Sequence, residues 1–133
     1  MNTHRHAIVL DSEAFSALVR NDEVFVALFN ELDIQGAEFL LSANTIIEGT
    51  DPKTHPAHLR QVLKGLKVEP VTEESAIAAL RLLKDANVHG HSHAIDATVA
   101  EVALRQEAPT TILTSDLKDM RKLADGRVDV EKV

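Results

Sequence analysis

Asp11, Glu48, Asp96 and Asp116 occupy the contexts AIVLDS, NTIIEGT, AIDATVAEVAL and ILTSDLKDM, where an apolar or small-residue run meets a helical one. Singly, each reads as a helix cap or turn residue that needs no chemistry to explain it. Together they allow another reading. Carboxylates gathered at one point raise one another's pKa, and a divalent cation removes that cost. A chain without Cys that offers oxygen ligands favours Mg²⁺ or Mn²⁺ over zinc. Such a centre suits phosphodiester hydrolysis, because the cation acidifies water and offsets charge developing on the phosphate. Asp11, Glu48, Asp96 and Asp116 are therefore the candidate metal ligands and catalytic residues. Asp119, three residues after Asp116, shares its helical face and is an auxiliary member, or else pairs with Lys122 or Arg121. The hydroxyls of Ser12, Thr114 and Ser115 are candidates to orient a water or a phosphate oxygen. Lys118 and Arg121 are the first candidates for phosphate contacts.

The elements that must position these groups alternate between strand and helix. Ala7 to Leu10 is a four-residue apolar run, as expected for a parallel strand buried on both faces. Further strands are predicted over 38–41, near 67–71, over 110–113 and over 128–130. Helices are predicted from Ser12 to Val19 and from Asn21 or Asp22 onward, with Val24, Leu28 and Leu32 at helical spacing. Ser42 is expected to cap a short helix carrying Ile46, Ile47 and Glu48. A further helix is expected over 58–66, and a long one capped by Thr72 with Ile77, Leu80 and Leu83 as its buried stripe. The last two are expected over 94–106, with Ile95, Val99 and Val102 on one face, and over 116–124. This order predicts one domain over 1–133, a three-layer α/β/α fold with a mostly parallel central sheet of four to five strands. In such sheets ligands bind beyond the carboxyl ends of the strands. Asp11 and Asp116 meet that condition directly, and Glu48 and Asp96 require their helices to lean over the same edge.

Composition narrows the classes. The formal net charge of −7 argues against non-specific nucleic-acid binding through a basic surface, although cations held by the acids add local positive charge that the count omits. With no Trp, no Tyr and four Phe, stacking of bases on exposed rings is disfavoured. The absence of Cys excludes a disulfide framework and is compatible with the cytoplasm. The opening MNTHRHAIVLD enters a strand directly, so neither a signal peptide nor a membrane span is expected. His89, His91 and His93 form a His-x-His-x-His pattern that could chelate a metal, but among seven His, with His4 and His6 near the first strand, a polar loop is the simpler expectation. Glu101 and Glu107 read as surface charge. The stretch Val24 to Phe29 reads as core, or as a groove for a dimer or a protein partner.

With these motifs in view, the chain resembles the PIN-domain family, specifically its VapC-type ribonuclease toxins, over nearly its whole length. The strand ending in Asp11, IIEG with Glu48, HAIDATVAEVAL with Asp96, and ILTSDLKDMRKLA with Thr114, Asp116 and Asp119 are the matching segments. The resemblance implies a PIN-like fold and a Mg²⁺- or Mn²⁺-dependent endoribonuclease that cleaves RNA to leave a 5′-phosphate and a 3′-hydroxyl. It further implies a homodimer held inactive by a cognate antitoxin. Two other readings stand beside it. One is a catalytically inactive PIN-like module that binds RNA or protein and uses its acids only as caps. The other is a flavodoxin-like phospho-acceptor signalling domain, which would want paired acids after the first strand and a Lys after the last.

Overall fold

The computed structural model describes residues 5–133; His4, counted above near the first strand, lies outside them. Among the described residues, five strands form a single sheet in the order β3-β2-β1-β4-β5. They are β1 (Ala7–Leu10), β2 (Glu38–Ser42), β3 (Lys67–Glu69), β4 (Thr110–Thr114) and β5 (Asp129–Lys132). Every adjacent pair is parallel. The helices are α1 (Ser12–Val19), α2 (Glu23–Ile34), α3 (Thr45–Gly49), α4 (Pro56–Leu63), α5 (Glu73–Ala86), α6 (Gly90–Leu104) and α7 (Leu117–Ala124).

Strand alternation divides the core into two halves. Ala7 and Val9 of β1, Leu40 of β2 and Ile112 of β4 face one side, where they pack with α5, α6 and α7 residues such as Val99, Val102, Met120 and Leu123. Ile8, Leu10, Phe39, Leu41 and Leu113 face the other, against Phe15, Leu18 and Phe25. Side chains of successive strand residues point to opposite faces, so a continuous apolar run is what a doubly covered strand needs. Fully burying each of these larger side chains contributes roughly 1.5–3 kcal/mol. The three-layer architecture anticipated from the sequence is the one observed, with five strands among the described residues, all paired in parallel.

The faces of two helices differ from expectation. In α2 the inward residues are Phe25, Val26, Phe29 and Leu32, while Val24 and Leu28 are 82% and 44% exposed. In α5 the buried positions are Ala79 and Leu83, supported by Leu82 and Ala86, and Ile77 and Leu80 are half exposed. The small Ala79 lets α5 approach α6 closely, which larger residues at that position would prevent. Ser42 is the buried last residue of β2 rather than a helix cap, and Asn44 takes the position before α3. α4 begins earlier than expected, with Pro56 in its first turn and the His55 side chain accepting from the Ala57 N–H; a Pro suits that position because its missing N–H would have no helical partner. Glu101 is not surface charge. It is buried within α6, 3.2 Å from Arg105 Nε.

Candidate active site

Strand order reverses between β1 and β4, the topological switch point at which open α/β sheets leave a crevice. Leu10 and Leu113 are in register there, so the residues that follow the two strands emerge side by side. Asp11 caps α1 by accepting the Ala14 N–H on Oδ1 at 3.0 Å. Its Oδ2 accepts the Ser115 N–H at 3.1 Å. Asp116 caps α7 by accepting the Asp119 N–H at 3.2 Å, and its own N–H donates to Thr114 Oγ1 at 3.0 Å. The capping role and membership of an acid cluster are therefore compatible: Asp116 caps with one oxygen and retains a second, and both Asp11 oxygens, each accepting a single N–H, keep a further lone pair.

Glu48 and Asp96 reach this edge by identifiable devices. Asn44, beside α3, accepts on Oδ1 from Ser42 Oγ at 2.8 Å and from Thr98 Oγ1 of α6 at 2.9 Å. That side chain ties the start of the Glu48 helix to the turn of α6 that carries Asp96. Gly49 brings α3 onto α1: a Cβ there would lie 2.9 Å from both the Phe15 ring and the Ser12 carbonyl. With α3 held so close, Ser12 Oγ donates to Glu48 Oε1. Burial raises the Asp96 carboxyl above its ordinary range, the hydrogen bond from His93 opposes the shift, and the charges of Glu48 and Asp11 push it further up. Three of the four expected acids thus act on one another electrostatically.

The fourth, Asp116, joins through a residue that sequence reasoning left in a loop. His93 lies within α6, at a break in its helical backbone (φ −124°, ψ 20°). Its Nδ1 is 3.1 Å from Asp96 Oδ2 and its Nε2 is 3.3 Å from Asp119 Oδ2. The hydrogen bond to Asp96 raises the imidazole pKa above 6.5, burial works against this, and the charges of Asp119, Asp96 and Asp116 reinforce it. His93, Asp116 and Asp119 each bring one potential ligand atom to within 4.8 Å of the others. The available signal was a His three residues before the acid, a spacing that places both on one helical face. Asn44 and Thr98 carried no comparable signal, because their roles depend on contacts 54 residues apart in sequence.

The remaining candidates differ in position. Asp119 lies within the cluster and also 3.9 Å from Lys122 Nζ. Ser12 and Ser115 border the acids through the bonds already described. Thr114 is fully buried, so its hydroxyl holds the Asp116 turn and has no surface to offer a substrate. Lys118 is exposed. Arg121 borders a hollow formed with Gly126, Val128 and Glu131 beside β5, and residues two apart on a helix, such as Asp119 and Arg121, do not share a face. His89 and His91 are exposed, and His89 Nδ1 accepts the His91 N–H.

The donor set fits a divalent cation. Several carboxylates share one edge, and one of them is held above its normal ionisation by burial and by its neighbours' charges, a cost that a cation relieves.

A five-stranded parallel sheet between two helical layers, with acids at its switch point, has the architecture of a PIN-like fold. A chain of the crystal structure of VapBC2 from Rickettsia felis bound to a DNA fragment from their promoter matches it with a TM-score of 0.71, covering 96% of this chain and 98% of that chain, at 14% sequence identity. No family model and no curated protein matches the sequence.

Proposed function

We propose that this protein is a metal-dependent endoribonuclease and the toxin of a toxin-antitoxin pair. Two linked groupings at the carboxyl edge of a PIN-like sheet support the reading: Glu48 and Asp11 act on the charge of Asp96, and His93 stands with Asp116 and Asp119 while bonding to Asp96. Asp11, Glu48, Asp96 and Asp116 are the proposed holders of Mg²⁺ or Mn²⁺, with Asp119 assisting. When bound, the cation supplies the acidity that ionises water near neutral pH and offsets negative charge on the scissile phosphate.

The chain's own residues set the geometry. Asp11 is fixed by two backbone N–H groups, so its carboxylate is oriented before any ligand arrives. Ser12 orients Glu48, and the exposed Ser115, whose N–H bonds Asp11, is the proposed hydroxyl for a phosphate oxygen. Lys118, exposed at the start of α7, is suited to a neighbouring phosphate of the RNA strand.

The structural neighbour is VapBC2 bound to a fragment of promoter DNA, which supports an antitoxin partner for this chain. The exposed Val24, Leu28 and Ile34 of α2 and Ile47 of α3 supply the apolar surface that such a partner, or a second copy in a homodimer, would cover. Among the described residues, no helix is long and apolar enough to cross a membrane.

The reading is tested by incubating the purified protein with labelled single-stranded and structured RNA in Mg²⁺, in Mn²⁺ and in excess chelator. Metal-dependent internal cleavage leaving 5′-phosphate and 3′-hydroxyl ends is expected. Intact RNA together with no metal-induced rise in unfolding temperature favours the non-catalytic module, because a cation that binds the native state must stabilise it.

A further inference from the structure

We propose that His93 is itself a ligand of the metal centre, supplying an imidazole nitrogen beside the carboxylates of Asp116 and Asp119, so that the centre selects Mn²⁺ and other first-row transition cations over Mg²⁺. The proposal rests on the metal-centre reading above and adds to it a nitrogen donor and a metal preference.

The ring already stands in the required place. Its Nδ1 lies 3.1 Å from Asp96 Oδ2, while Nε2 is directed toward α7, 3.3 Å from Asp119 Oδ2. An imidazole that donates one N–H to a carboxylate and presents its other nitrogen to a cation is the usual arrangement for a metal-bound His, since the carboxylate fixes the tautomer and raises ligand basicity. Asp96 is positioned to do this for Nδ1, leaving Nε2 to share a cation with Asp116 and Asp119. The three ligand atoms lie within 4.8 Å of one another.

The backbone accounts for the placement. The break at His93 separates the first turn of α6 from the segment bearing Asp96, which places His93 among the acids while the His91 side chain stays in solvent. The imidazole is only 21% exposed.

Metal preference follows from ligand type. Mg²⁺ favours oxygen and dehydrates reluctantly, whereas a nitrogen donor shifts a carboxylate site toward the first-row transition series, in which Mn²⁺ is the weakest-binding and most oxygen-tolerant member. Binding displaces any proton on Nε2 to solvent.

The test is to load the full chain with Mn²⁺ and record pulsed electron paramagnetic resonance, with Mg²⁺ competition measured in parallel. A ¹⁴N coupling from directly bound imidazole is expected in the native protein and in His89→Gln, and is absent from His93→Gln. In His93→Gln the Mn²⁺-to-Mg²⁺ affinity ratio falls by about 10-fold or more. Bound Mn²⁺ without nitrogen coupling in the native protein, or coupling that persists in His93→Gln, overturns the proposal and leaves the metal centre standing. Failure of the native protein to bind Mn²⁺ at all overturns the metal-centre reading and this proposal with it. The native spectrum decides the matter even if the variant folds poorly.

Discussion

Asp11 and Ser115 are joined by a hydrogen bond from the Ser115 N–H to Asp11 Oδ2, 104 residues apart in sequence, which locks the end of β1 to the end of β4. The same carboxylate caps α1 through its other oxygen. Asp11 thus has a structural role separable from its charge. Asp11→Ala removes both bonds and is expected to lower stability by about 1–3 kcal/mol. Asp11→Asn retains an acceptor for one of them and should lose distinctly less. Chemical denaturation of both variants without metal checks this, and equal losses would contradict the separation of the two roles.

Gly49 sets the distance between α3 and α1. A methyl group there meets the Phe15 ring and the Ser12 backbone at 2.9 Å, and the backbone contact cannot rotate away. Gly49→Ala is expected to cost about 1–3 kcal/mol as overpacking. It also moves Glu48 from Ser12, so RNA cleavage should fall by more than the loss of folded protein accounts for.

Asn44 holds two hydroxyl donors, Ser42 Oγ and Thr98 Oγ1, on one oxygen. Asn44→Ala leaves Ser42 Oγ without its acceptor, while Thr98 Oγ1 keeps the Ile95 carbonyl at 2.6 Å, so the expected cost is about 0.5–1.5 kcal/mol. Asn44→Asp retains the acceptor and is expected to retain most of the stability. Metal affinity, measured by titration, should drop in Asn44→Ala because the link between the Glu48 and Asp96 helices is cut, although no proposed ligand has changed.

Two groups of the site bind a proton more tightly in the native than in the unfolded chain. His93 is raised above 6.5, mainly by its hydrogen bond to Asp96 and against the effect of burial. Asp96 is raised above 3.8, mainly by burial and against the hydrogen bond from His93. For each, the stability associated with protonation is fully present below the unfolded pKa and is lost as the pH rises through the higher native value. Metal-free protein is therefore expected to lose this contribution from about pH 4 upward for Asp96 and from about 6.5 upward for His93. Relative to native protein, His93→Gln should flatten the upper part of the urea-stability profile. Asp96→Asn should flatten both parts, since it also weakens the cause of the His93 shift. A His93→Gln profile parallel to the native one across neutral pH would contradict the assignment.

The strands and the acids at their ends were legible because they follow local rules. A four-residue apolar run closed by Asp11, and a β-branched run closed by Asp116, have few alternatives in a doubly covered sheet. The inward faces of α2 and α5 were not legible in this way. VFVALF is apolar on all sides, so periodicity offered two overlapping stripes, and tertiary packing chose Phe25 and Phe29 over Val24 and Leu28. In α5, close approach to α6 favoured the small Ala79 over Ile77 and Leu80. His93 was obscured by its neighbours: among three alternate histidines in a polar stretch, only its placement at a backbone break separates it from His89 and His91. Convergence of Glu48 with Asp96 depends on Asn44, Thr98 and Gly49, whose contacts are long-range and leave no local pattern.

If Asp11, Glu48, Asp96 and Asp116 form one metal-dependent phosphodiesterase centre, the rate of RNA cleavage in Mn²⁺ by native protein, Asp11→Asn and Asp96→Asn, each shown by circular dichroism to be folded, reveals it. Metal-dependent cleavage by the native protein and a loss of about 100-fold or more in each variant are expected, as for removal of a group that stabilises transition-state charge. Cleavage that continues at the native rate in either folded variant contradicts it.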